Sequence, residues 1–118
     1  MKITVYEKPT CTTCRKLATL FKENGIEYDR INYFIEPLSE EKLRVLLKKA
    51  GLSPRDVLRR NEPEYKNLKI AEVESVDELI RLIVENPNLL QRPLVEIGER
   101  AVLARPVENA LDLIKSVK

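Results

Sequence analysis

The feature that most limits what this chain can fold into is the join across residues 5–17. An extended apolar run, Ile3 to Tyr6, leads into Cys11-Thr12-Thr13-Cys14, and a helical pattern of Leu17, Leu20 and Phe21 follows. A strand that passes into a helix at a Cys-x-x-Cys sets both thiols at the helix start. There the backbone N–H groups lack partners and the helix carries partial positive charge, so a thiolate is stabilised. Cys11 reads as the residue just before the first turn, and therefore as the nucleophile. Cys14 lies about one turn later, on the same side and within reach of a disulfide. Arg15 adds positive charge beside them, a setting that lowers a thiol pKa.

Simpler uses of the pair fit less well. Structural zinc takes four Cys, His or carboxylate ligands, and the chain has no His and no further cysteines. Two inert buried thiols would sit in apolar sequence. The polar Thr12 and Thr13 and the flanking Lys8, Arg15 and Lys16 argue instead for partial exposure. Without His, a hydrolytic triad built on imidazole is excluded.

A length of 118 residues fits one domain with a core. A net charge of +2 is too small to argue for direct nucleic-acid binding. No apolar run approaches membrane-spanning length, and the start lacks a signal-peptide pattern. A cytoplasmic monomer is expected, and in that compartment a Cys pair is more often catalytic or redox-sensing than a permanent staple.

The element order follows from pattern and punctuation. Residues 2–6 read as a strand, 12–24 as a helix stopped by Asn24-Gly25, and 27–32 as a second strand, parallel to the first. Ser39 caps a helix with Leu43, Leu46, Leu47 and Ala50 on its apolar stripe, ended by Gly51. Ser53-Pro54 predicts a further helix through Val57 and Leu58 to Asn61, broken at Glu62-Pro63. A short helical piece spans Tyr65, Leu68 and Ile70. Ser75-Val76-Asp77-Glu78 matches a capping box and opens a helix that buries Leu79, Leu82 and Ile83. Residues 39–90 are thus expected to be wholly helical. After Pro93 two strands form an antiparallel hairpin about Gly98-Glu99. A last helix at about 107–116 turns Ala110, Leu111 and Ile114 inward. The predicted class is α/β: a mixed four-stranded, thioredoxin/glutaredoxin-like sheet. Its core is about 1–38 and 91–118, with a helical insertion at about 39–90.

Four separated pieces carry a family resemblance. They are Pro9-Thr10-Cys11-Thr12-Thr13-Cys14-Arg15-Lys16, Leu58-Arg59-Arg60-Asn61 with Tyr65, Arg92-Pro93, and Arg105-Pro106. Together they resemble the arsenate reductase (ArsC) family and its relatives, the Spx-type redox regulators. The resemblance implies that Cys11 attacks arsenate or a related oxyanion, which Arg59, Arg92 and Arg105 hold. Thr12, Thr13, Arg15 and Pro93 support the site, and a cis peptide is implied at Arg92-Pro93. Planar, permanently charged guanidinium groups suit this task, because an anionic thiolate must approach an anion. No resident cofactor or metal is implied. The reductant would be an external thiol system, glutaredoxin–glutathione or thioredoxin. Asn61 and Tyr65 are expected at a helix end and in the core rather than in the site.

Cys14 departs from the glutaredoxin-linked reductases, which typically carry serine or a similar residue there. Spx-type regulators do carry the pair, and Glu36-Pro37-Leu38-Ser39 resembles their corresponding segment. Those regulators bind the C-terminal domain of the RNA polymerase α subunit, here through a surface around Gly51. The reductase pattern, a Cys11–Cys14 redox switch and a general thiol–disulfide oxidoreductase all remain open at this level. In the first, Cys14 could resolve a Cys11 adduct by forming an internal disulfide.

Overall fold

The computed structural model describes residues 2–117. The chain divides into two compact units, one made of the segments up to Glu36 and from Arg92 onward, the other of Pro37–Gln91.

The first unit holds a four-stranded sheet in the order β2-β1-β3-β4. Strand β1 (Ile3–Glu7) pairs in parallel with β2 (Asp29–Asn32) and antiparallel with β3 (Leu94–Ile97), which pairs antiparallel with β4 (Arg100–Leu103). Helix α1 (Thr12–Glu23) supplies the crossover between the parallel strands. Gly98 turns the β3–β4 hairpin at φ +57°, a conformation that costs other residues a Cβ clash. One face of the sheet, with Val5, Val95 and Ile97, packs against Leu17 and Phe21 of α1 and against Ala110, Leu113 and Ile114 of α5 (Glu108–Ser116). Leu113, rather than the expected Leu111, completes the inward face of α5. Leu111 stays half-buried at the margin of the same cluster.

The second unit is held by helix stripes. In α2 (Glu40–Ala50) the buried side chains are Leu43, Leu46 and Leu47, and the Ser39 side chain accepts from the Lys42 N–H at 3.0 Å. Burying such a side chain is worth about 1.5–3 kcal/mol. Helix α4 (Val76–Glu85) buries Leu79, Ile80, Leu82 and Ile83, capped by Ser75 through the Glu78 N–H. Between them, Pro63 opens the short α3 (Pro63–Asn67) at its first position, where a missing N–H costs nothing.

The helix expected from Ser53 to Asn61 does not form, and the insertion is therefore not wholly helical. Only a 3-10 turn, Pro54–Val57, is present. Leu58 is extended and pairs with Leu90 in an isolated antiparallel bridge. The Arg59 N–H donates to the Leu89 carbonyl at 2.7 Å, and the Gln91 N–H to the Val57 carbonyl at 2.8 Å. Backbone groups that would have served a helix are taken by a segment some thirty residues away in sequence.

Candidate active site

Cys11 is the N-cap residue of α1, with extended backbone angles. Burial works to raise its thiol pKa. The Cys14 backbone N–H and thiol, the Thr13 N–H and the Arg92 charge work the other way and prevail, so the net direction is down. Both thiols are free, Cys11 half-buried and Cys14 buried.

The burial of Cys14 runs against the exposure that its polar neighbours suggest. The cause is helical geometry: Cys14, Leu17 and Phe21 share the inward face of α1, while Thr12, Arg15 and Lys16 lie on the outer one. Burial raises the Cys14 thiol, and so do the Cys11 thiol and the Glu7 charge. A hydrogen bond from the Lys8 N–H opposes them, and the net result is a pKa pushed up to about 12. The two sulfurs are thus divided into a nucleophile and a proton-bearing partner.

Arg92 is 5% exposed, its charge directed to Cys11 and its Nη1 3.5 Å from the Tyr33 hydroxyl. Its guanidinium carbon lies 5.5 Å from the centre of the Phe34 ring, and the Lys8 ammonium 4.5 Å from the same centre. Two cations therefore meet the Phe34 ring, and one of them, Arg92, also directs its charge at Cys11. The Arg92–Pro93 peptide is cis, as the resemblance implies, and so is Arg105–Pro106. Arg105 is exposed, and its Nη1 donates to the Arg92 carbonyl at 3.0 Å, which brings the second arginine beside the first. An open groove of about 300 Å³ is lined by Thr13, Lys16, Arg105 and Pro106 together with Val107 and Glu108. Thr12 is exposed, and Arg15 folds back to donate to the Pro9 carbonyl at 3.3 Å.

Arg59 belongs to the second unit, where it pairs with Glu62 at 3.2 Å. Asn61 is exposed and Tyr65 is half-buried, so Tyr65 is not the core residue expected. Gly51 serves as the left-handed C-cap of α2, at φ +68°. Among the described residues no group of three metal-ligating side chains is present, and no helix is long and apolar enough to cross a membrane.

Sequence reasoning did not find Tyr33, Phe34 or Glu7. Tyr33 and Phe34 follow β2 without any motif of their own. Glu7 is the one charged residue of strand β1, and that contrast was the available signal.

A mixed four-stranded sheet with a Cys-x-x-Cys at the start of its first helix defines a thioredoxin-like dithiol protein. Within that class, residues 6–113 match the ArsC family. The chain is 36% identical over 115 residues to the Escherichia coli (strain K12) protein YfgD, covering 96% of this chain and 97% of that one. It is 35% identical over 113 residues to an Escherichia coli arsenate reductase, covering 95% and 80%. The structure of an arsenate reductase from Vibrio cholerae superposes with a TM-score of 0.89 at 32% identity, over 95% of this chain and 97% of that one. The chain belongs to the ArsC family.

Proposed function

We propose that the protein is a thiol-dependent oxidoreductase that reduces arsenate or a closely related oxyanion. The observation that carries this reading is the Arg92 charge facing a thiol of lowered pKa, with Arg105 donating to the Arg92 carbonyl. A site that concentrates positive charge at a thiolate suits attack on an anion. The Cys11 thiolate attacks arsenic and forms a sulfur–arsenic bond, and one oxygen of the oxyanion takes up protons from solvent and leaves as water. Cys14 then attacks the Cys11 sulfur, a disulfide forms, and the electron pair of the broken bond leaves with arsenic as arsenite. Glutaredoxin–glutathione or thioredoxin restores the dithiol by exchange. The oxyanion role that the resemblance gives Arg59 belongs to the same proposal.

The test is arsenate-dependent consumption of reductant by the reduced protein, with both thiol systems supplied in parallel. Turnover is expected, with complete loss in Cys11→Ser. Loss in Cys14→Ser assigns the resolving step to the second cysteine, whereas retention assigns it to the external thiol. Absence of turnover with either system would overturn the reductase reading in favour of a redox switch. Binding of the oxidised and reduced protein to the C-terminal domain of the RNA polymerase α subunit would then test that switch.

A further inference from the structure

The sheet register sets a row of residues at one end of the strands. Glu7 of β1 pairs with Asn32 of β2, and Tyr6 pairs with Leu94 of β3. Past those pairs β1 and β2 run on into Lys8 and Tyr33, and β3 is entered from Arg92 through Pro93. Lys8 adjoins the nucleophile, since its carbonyl accepts from the Cys11 N–H at 2.9 Å. On the β2 side Asn32 fixes the loop. Its side-chain oxygen accepts from the Phe34 N–H at 3.0 Å, and its carbonyl accepts from the N–H groups of Ile35 at 3.0 Å and Glu36 at 2.8 Å. The loop so held buries Tyr33 and leaves Phe34 half-buried, with the two ring centres 5.0 Å apart. Two cations lie against the Phe34 ring, the Lys8 ammonium 4.5 Å from its centre and the Arg92 guanidinium carbon 5.5 Å from it. The Tyr33 hydroxyl stands 3.5 Å from Nη1 of the same guanidinium. An aliphatic side chain could fill the place of Phe34, but it has no negative face. An aromatic ring has one, and it attracts a cation within about 6 Å. A buried guanidinium needs such partners, because its charge has left water.

We propose that Phe34 is a positioning residue of the oxyanion site, whose ring face holds the Arg92 guanidinium ready for the anion. A guanidinium is a planar fork, and its grip on a tetrahedral anion depends on the plane in which it is presented. The Tyr33 hydroxyl meets one nitrogen of the fork and the Phe34 ring meets its carbon, so the fork is restrained at two points. A fork held before the anion arrives loses less freedom on binding, and the difference appears as affinity. Phe34 acts through Arg92 and takes no part in the bond changes. The inference rests on the reading that Arg92 holds the oxyanion, and not on which thiol completes the reduction.

Calorimetric binding of arsenate to the Cys11→Ser protein tests it without any redox step. Phe34→Leu in that background is expected to weaken binding by roughly fivefold. Phenylalanines bearing one, two and three fluorines at position 34 give the stricter test. Fluorine drains the negative face of the ring and changes its shape little, so affinity should fall stepwise along the series. In the protein that keeps Cys11, the same series should raise KM for arsenate stepwise and leave kcat within about twofold. A Phe34 that only fills space would give equal affinities and equal KM values across the series, and that outcome overturns the proposal. In a Lys8→Met background the stepwise fall should persist. A flat series there would assign the ring to Lys8 and overturn the role given to it through Arg92. A protein that neither binds nor reduces arsenate would overturn the oxyanion reading and this inference with it, whereas binding and turnover indifferent to the fluorines would overturn Phe34 alone.

Discussion

The two units keep their charges in different places. In the Pro37–Gln91 unit the buried side chains are apolar, and charge is spent on surface pairs such as Arg44–Asp77 at 2.7 Å and Arg81–Glu85 at 2.9 Å. In the other unit, which holds the cysteine pair, Glu7 and Arg92 are 4% and 5% exposed. Burying charge costs stability unless the charge is compensated. The unit with the sheet carries that cost where its thiols are tuned, and the helical unit does not. The contrast teaches that stability and reactivity have separate seats in this chain.

That separation can be broken or sharpened by substitution. Leu46→Ala in the helical unit is expected to cost about 2–5 kcal/mol in denaturant unfolding. The alkylation rate of Cys11 in the folded fraction should stay unchanged, and a large drop would show that the two seats are coupled. Arg92→Leu is expected to act in the opposite way. Iodoacetamide alkylation of Cys11 should slow at neutral pH, with its pH midpoint moved upward. Unfolding stability should hold or rise, because an apolar side chain replaces a buried charge. Arg92→Lys keeps the charge and should recover part of the parent rate.

Smaller effects refine the picture. Ser39→Ala removes the cap of α2 and should lower stability by about 1 kcal/mol without touching thiol chemistry. The raised pKa of Cys14 makes a contribution with a definite sign. It favours folding below the ordinary thiol range and is lost as pH rises toward about 12. Cys14→Ala should therefore flatten the alkaline decline of stability in the reduced protein, and an unchanged slope would place that decline elsewhere. The exposed pair opened by Arg44→Ala should change unfolding by less than about 1 kcal/mol and should fade further with salt.

The sheet strands, the parallel β1–β2 crossover, the hairpin at Gly98 and the helices α1, α2, α4 and α5 were legible because their signals are local. Periodicity, caps and turn residues act within a few positions. The same holds for the position of Cys11, since a helix start is visible from the residues around it. The stretch after Ser53 misled for the complementary reason: Pro54 and Val57 carry a helical signal, but Leu58 and Arg59 found backbone partners at Leu90 and Leu89.

By itself, then, the order of residues determined the element sequence, the placement of a thiol at a helix start and the family to which the chain belongs. The tertiary structure alone decided which cysteine is buried, which arginine faces the other, and that Arg105 donates to the Arg92 carbonyl. Those facts depend on desolvation and on contacts between distant segments. Both terms arise only once strand and helix faces have met, so no local pattern encodes them.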